Sequence, residues 1–216
     1  MRQEYQAELA DVNRVLVEMS IRVRTAMRRA TAALLGADQT EAEEVVRADA
    51  EIDVLYQQVE DKVCGLLARQ APVASDMRLL VTALHISGDL ERMGDLADHV
   101  AKTALRRIPD VAVPEELRPV IQDMAQAADR MAEKITGVLQ TADAERAAEL
   151  DRDDDEIDEL QQQLFGLLLG TAWRHGVGPA VDGAQLGRWY ERFADHAVNA
   201  GRRVVYFITG NFAPAP

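Results

Sequence analysis

The chain has 216 residues, 48% of them apolar and 28% charged, and carries a net charge of −13 at neutral pH. That length spans one large domain or two of about 100 residues, and the apolar share is ample for a core. The acidic balance argues against general nucleic-acid binding, in which Lys and Arg neutralise phosphates. No apolar run approaches the roughly 20 residues of a membrane-spanning helix. The opening MRQEYQAELA is amphipathic and acidic, unlike a signal peptide. Cys64 is the single cysteine, so no intrachain disulfide can form, and its neighbours Val63, Leu66 and Leu67 predict a small buried hydrophobe. A reducing cytoplasm is the expected compartment.

In chain order the apolar periodicity is helical almost throughout. Leu9, Val12, Leu16, Met19, Val23, Met27 and Leu34 recur at helical steps over 4–35, and Gly36 is expected to stop this first helix. Thr40 followed by Glu43 resembles a capping box for a second helix striped by Ile52, Leu55, Val59, Val63 and Leu66. Pro72 is expected to end it, and Ser75 to cap a third helix reaching Arg107. IPDVAVP (108–114) reads as the clearest linker, with Pro114 and Glu115-Glu116 suited to a helix N-terminus. A fourth helix is predicted over 114–140, a fifth over 143–174 and a sixth over 181–209, with the break RHGVGPAVDG at 174–183. No period-2 alternation is present. The expected fold is all-α: two tandem antiparallel three-helix bundles, 1–108 and 114–216, related by internal pseudo-twofold symmetry.

One phrase is written twice, LERMGD at 90–95 and YERFAD at 190–195, and each copy follows a second matched phrase, RADAEIDVL (47–55) and RDDDEIDEL (152–160). Four carboxylate pairs at i, i+4 result: Asp49 and Asp53, Glu91 and Asp95, Asp154 and Asp158, Glu191 and Asp195. A helix turns about 100° per residue, so each pair lies on one face, one turn apart. Such like charges cost a few tenths of a kcal/mol unless a cation neutralises them. Antiparallel neighbours sit about 8–10 Å apart, within reach of carboxylates projecting from both. Facing acidic stripes would thus gather four oxygen ligands per half, suited to Mg²⁺, Ca²⁺, Mn²⁺ or ferric iron, with Zn²⁺ also admissible. The bland reading is a solvated acidic face, since acidic pairs at this spacing are common on helices. The matched order of two pairs in two repeats weighs against it.

The stretches QAPVASDMRLLVTALHISGDLERMGDLADHVAK (70–102) and WYERFADHAVNAGRRVVYFITG (189–210) resemble the PhoU family of phosphate-transport regulatory proteins. The resemblance covers essentially the whole chain. It implies two three-helix bundles, each with a metal cluster of iron or zinc held by its acidic pairs. Mapped by position, the ligands would be Asp49, Asp53, Glu91 and Asp95 in one half, and Asp154, Asp158, Glu191 and Asp195 in the other. Departures are visible: Met93-Gly94 in the first copy is Phe193-Ala194 in the second, and Leu96 corresponds to His196. The two sites therefore need not bind equally.

The resemblance further implies a cytoplasmic metal-binding regulator, not an enzyme. It would link the ATPase subunit of a phosphate ABC transporter to a sensor histidine kinase and restrain the phosphate-starvation response. Self-association as a homodimer or higher oligomer is expected, and contact with the membrane only through partners. No catalytic triad, phosphate loop or nucleotide motif is present. The alternatives are a metal-independent helical adaptor and a ferritin-like di-iron oxidase. The oxidase class uses Glu-x-x-His pairs, and here Thr82, Leu96, Ala172 and Phe193 precede the four histidines by three positions. His196 is read as an interface hydrogen-bonding residue, and His85, His99 and His175 as structural. Arg92 and Arg192 are expected to pair with acids of a neighbouring helix. Arg22, Arg24, Arg28 and Arg29 form a basic face, solvated or open to an acidic partner. Trp173, Trp189, Tyr190 and Phe193, grouped around the last helix junction, are read as core packing, with an oligomer contact as the alternative.

Overall fold

Helical periodicity in the sequence becomes seven α-helices in the computed structural model, which describes residues 2–69 and 74–210. They are α1 (Arg2–Gly36), α2 (Gln39–Arg69), α3 (Ala74–Arg107), α4 (Arg118–Thr141), α5 (Ala144–Ala148), α6 (Leu150–Leu169) and α7 (Val177–Thr209). A 3₁₀ turn, Glu115–Leu117, leads from the linker into α4, with Pro114 at its start. No strand occurs among the described residues.

Helices α1, α2 and α3 pack on one another, as do α4, α6 and α7, with α5 against α7. The halves meet like with like, α1 against α4 and α3 against α7, as a pseudo-twofold relation requires. Polar contacts trace the registers. Asn13 with Leu139, Arg24 with Asp129 and Arg118 with Leu35 run antiparallel along α1 and α4. Asp89 with His196 and His99 with Trp189 do the same for α3 and α7. The apolar stripes read from the sequence, Leu9 to Leu34 on α1, Ile52 to Leu66 on α2 and Leu90 to Val100 on α3, are all buried. They join one core that continues through Ile121, Met131, Ile157, Tyr190 and Phe193. Each buried large side chain contributes about 1.5–3 kcal/mol, so this shared core dominates stability.

Several expectations are corrected. The chain leaves α1 through Ala37, not Gly36: Ala37 takes φ 51°, and the Asp38 amide donates to the Ala33 carbonyl at 3.1 Å. Asp38, not Thr40, caps α2, its Oδ1 accepting from the Glu41 amide at 3.0 Å. The side chain of Ser75 and the break at Pro72 lie outside the described residues, and α3 is already helical at Ala74. The fifth helix divides at Glu149 into α5 and α6 and ends at Leu169 rather than 174. Asp143 starts α5 by accepting from the Glu145 and Arg146 amides. The break lets Ala147 and Leu150 press on Gly201 of α7, where an added Cβ would stand 2.6 Å from Leu150 Cδ1. Helix α7 begins at Val177 because Pro179 fits its first turn. Cys64 is exposed, since it lies about 100° round the helix from the buried Val63.

Most of the basic face is drawn into ion pairs within the fold, and Arg28 stays 67% exposed. Arg22 pairs with Glu18 and Glu51, Arg24 with Asp129 at 2.7 Å, Arg28 with Asp129 at 3.9 Å, and Arg29 with Glu41 and Glu44. These pairs stitch α1 to α2 and to α4. The four aromatic residues near the last helix junction pack on the core, as expected, with Trp173 and Trp189 partly buried against it. Tyr190 and Phe193 are buried, Trp189 meets His99, and Trp173 caps the α6–α7 turn by donating to the Gly176 carbonyl.

Ala37→Gly should stabilise the fold by about 0.5–1 kcal/mol, because glycine reaches positive φ without the Cβ penalty. The melting temperature should rise by about 1–3 °C, and a calorimetric scan showing a fall would refute this account of the α1–α2 turn.

Candidate metal centre

Each acidic pair sits where two packed helices present their polar edges. On α2 the apolar stripe through Ile52 and Val59 turns inward, leaving Asp49 and Asp53 at the edge towards α3. On α3 the stripe through Leu90, Met93, Ala97 and Val100 does the same, leaving Glu91 and Asp95 at the edge towards α2. Helix contact there is close. A Cβ built on Gly94 would stand 3.0 Å from Ile52 Cδ1 and 3.3 Å from Asp49 Oδ1. The Asp49 carboxylate is therefore laid against the α3 backbone at Gly94. In the second half Asp154 and Asp158 of α6 face Glu191 and Asp195 of α7, and Ala194 fills the place of Gly94.

Electrostatics follow from that packing. Burial, with Asp98, Asp53 and Asp95 nearby, pushes the Asp49 carboxyl up to about 6. Asp154 is likewise raised to about 6 by burial and by Asp195, Asp158 and Glu191. Glu91 and Glu191 are also raised, chiefly by burial and then by Asp95 and Asp195. Asp154 Oδ1 and Glu191 Oε2 are buried with no hydrogen-bond partner, as is Oδ1 of Asp98. Orphaned buried oxygens are uncommon in native folds, and these donor sets suit a hard or borderline cation.

Side chains as they stand do not enclose an ion: among the described residues, no three His, Cys, Asp or Glu are gathered to hold one metal. Like charges hold them apart, and basic residues draw them aside. Arg92 pairs with Asp95 at 2.8 Å and lies 3.5 Å from Glu91. The expected partner on a neighbouring helix is thus replaced by its own helix, the nearer source of charge. Arg188 pairs with Glu191 at 3.2 Å. Closure around a cation requires these side chains to rotate.

Asp98 is the residue absent from the sequence-derived ligand set. It is buried on the same α3 stripe and pairs with Lys102 at 2.5 Å. The spacing of Glu91, Asp95 and Asp98 was visible, but it has no duplicate, because Val198 stands at the matching position. Of the histidines, His196 Nδ1 meets Asp89 Oδ1 at 3.0 Å across the α3–α7 contact, and His175 meets Glu116 at 2.9 Å. Neither joins a metal-ligand group among the described residues.

The fold and site define an all-helical protein of two repeats, each carrying a carboxylate-lined helix edge. The PhoU domain model matches residues 16–104 and again residues 121–204, and the chain belongs to the PhoU domain family. It is 43% identical to the phosphate-specific transport system accessory protein PhoU homolog 2 of Mycobacterium tuberculosis, over 98% of this chain and all of that protein. Homolog 1 of the same species is also 43% identical, over 97% of this chain and 95% of that protein. Among solved structures, PhoU from Pseudomonas aeruginosa aligns with a TM-score of 0.85 at 26% identity, covering 96% of this chain and 100% of that one. The phosphate transport system regulatory protein PhoU from Streptococcus pneumoniae aligns with a TM-score of 0.87 over 98% and 100% of the two chains, at 24% identity.

The raised carboxyls make a signed pH prediction. A folded-state pKa above the unfolded value of about 4 means that this contribution is full below pH 4 and is lost as pH rises through about 6. In the presence of chelator, Asp49→Asn and Asp154→Asn should each gain about 1–2 kcal/mol over wild type at pH 7, after allowance for solvent screening. That gain should vanish near pH 4. A difference between variant and wild type that does not vary with pH, measured by urea denaturation, would refute the assignment.

Proposed function

We propose that this protein is a metal-binding accessory regulator of phosphate transport, not an enzyme. It would act in the cytoplasm as a negative regulator of phosphate-starvation signalling, between a phosphate ABC transporter and a two-component sensor kinase. The observation that carries the reading is the pair of matched acidic edges, with orphaned buried oxygens, in a chain of the PhoU family. Relatives named as accessory proteins of phosphate-specific transport support the setting. No described helix is long and apolar enough to cross a membrane, so coupling to a transporter would run through surfaces.

In this reading Asp49, Asp53, Glu91 and Asp95 would hold a cation or iron or zinc cluster in the first repeat. Asp154, Asp158, Glu191 and Asp195 would do so in the second. The two tandem repeats, 1–108 and 114–216, would each supply one site. A bound cation would neutralise the repulsion between the helix edges and so tie α2 to α3 and α6 to α7. The carboxylates position and neutralise it, while the packed stripes behind them keep the edges together. A second reading, a metal-independent adaptor, is favoured by the arginine pairs that already partly neutralise Glu91, Asp95 and Glu191. Metal analysis of protein purified without added metal separates the two.

If the reading holds, saturating metal should raise the melting temperature by about 5–10 °C, as binding at 100 times Kd stabilises by about 2.7 kcal/mol. The fourfold variant with Asp49, Asp53 and Asp95 changed to Asn and Glu91 to Gln should lose the first-repeat share of bound metal. Full stoichiometry in that variant would reject the ligand set.

Regulation has its own test. Deleting the gene in a strain without another PhoU-domain gene should derepress phosphate-starvation genes in phosphate-rich medium. Unchanged transcript levels would reject the regulatory role.

A further inference from the structure

We propose that Asp98 is a fifth ligand of the first-repeat cation site, with Lys102 as a tethered counter-ion that a bound cation displaces. The inference rests on the metal-binding reading above and makes the two sites chemically unequal. Glu91, Asp95, Asp98 and Lys102 form one stripe on α3, at steps of four, three and four residues. Asp49 reaches α3 at Gly94, its Oδ1 only 3.3 Å from where a Cβ would be. Asp98 lies one turn beyond Gly94 on that face, directly along the helix from the Asp49 carboxylate. The charge of Asp98 accordingly leads those of Asp53 and Asp95 in raising Asp49.

Asp98 is 4% exposed, and its Oδ1 accepts no hydrogen bond. A buried carboxylate is costly unless paired and hydrogen-bonded, and Lys102 satisfies only Oδ2, at 2.5 Å. The ammonium also feels Asp49 and Asp95. It is thus bound to one oxygen of Asp98, with the unsatisfied Oδ1 on the same carboxylate. Lysine suits this place because its charge is compact and its stem flexible, able to swing to solvent. Its side chain is 51% exposed.

The second repeat lacks this device. Val198 replaces Asp98, and Arg202, at the position of Lys102, is held by Asp151 of α6 at 2.8 Å. Ala194 adds the methyl that Gly94 omits. The second site therefore has four carboxylates and no resident ammonium from this stripe, its paired cation being Arg188, which is 64% exposed and bound to Glu191 at 3.2 Å.

Titration of the full chain with Mn²⁺ tests this, in a background where Asp154, Asp158 and Asp195 are Asn and Glu191 is Gln, leaving one site. Asp98→Val, which copies the second repeat, should weaken Mn²⁺ binding at least tenfold. It should also raise the water-proton relaxivity of the bound ion, as water replaces a protein ligand. Lys102→Met should instead strengthen binding several-fold. Opposite signs would not arise if the Asp98–Lys102 pair were only structural, since both variants would then loosen the site together. If Asp98→Val does not fold, Lys102→Met decides alone: weaker or unchanged binding overturns the proposal. Unchanged affinity and relaxivity in Asp98→Val overturn it as well. A wild-type chain that takes up no Mn²⁺, Zn²⁺ or Fe³⁺ in equilibrium dialysis rejects the metal reading itself, a result distinct from a wild type that binds while the variants do not differ.

Discussion

Packing two acidic helix edges side by side is the constraint on which the rest of this molecule depends. Coulomb repulsion between carboxylates a few ångströms apart, and the cost of partly drying them, both oppose the contact of α2 with α3 and of α6 with α7. Burial first, and then the neighbouring acids, accordingly raise the Asp49 and Asp154 carboxyls. What overcomes this opposition lies behind the edges. Ile52, Val59, Leu90 and Met93 in one half, and Ile157, Leu164, Tyr190 and Phe193 in the other, are fully or almost fully buried. Burial of a few such side chains outweighs the few kcal/mol that the charges cost. The apolar stripes hold the acids together at each edge.

Charge elsewhere is arranged to serve the same packing. The chain is strongly acidic, yet Arg22, Arg24 and Arg29 of α1 find acids on α2 and α4, while Arg28 stays largely exposed. Individually such exposed pairs contribute about 0–1 kcal/mol. Collectively they link α1 to α2 and α4. Across the centre, His196 with Asp89 and Arg107 with Asp182 join the two halves. Asp182 is buried, so its pairing with Arg107 avoids an uncompensated charge. The halves are thus joined by one core and by polar ties, and α3 and α7, each carrying one acidic pair, pack on each other.

Duplication has not made the halves equal. The first presses Asp49 against a glycine and adds Asp98 and Lys102. The second replaces the glycine with Ala194 and divides its outer helix at Glu149. Small residues on α7 receive the leucines of α6: a Cβ added to Gly187 would stand 2.5 Å from Leu164 Cδ2. In the second half close approach is thus made by Gly187 and Gly201, away from the acidic pair, whereas in the first it is made by Gly94 beside it.

Much of this was legible in the chain itself. Apolar residues at helical steps determine helices wherever they fall, so the all-α class, the buried stripes and the duplicated acidic pairs could be read directly. Pairs within one helix depend only on spacing, which a sequence states outright. The rest depends on neighbours distant in the chain. Whether Arg24 faces solvent or Asp129 is decided by how α1 lies on α4. That Ala37 rather than Gly36 turns the chain is decided by where α2 must begin to pack. Cys64 and Val63 differ in burial by one step of helical rotation, set by the direction from which α3 arrives. Asp98 illustrates the division best: its place on the α3 stripe is written in the sequence. Its burial and its unsatisfied oxygen belong to the packed structure, in which Gly94 brings Asp49 of α2 onto the same face of α3.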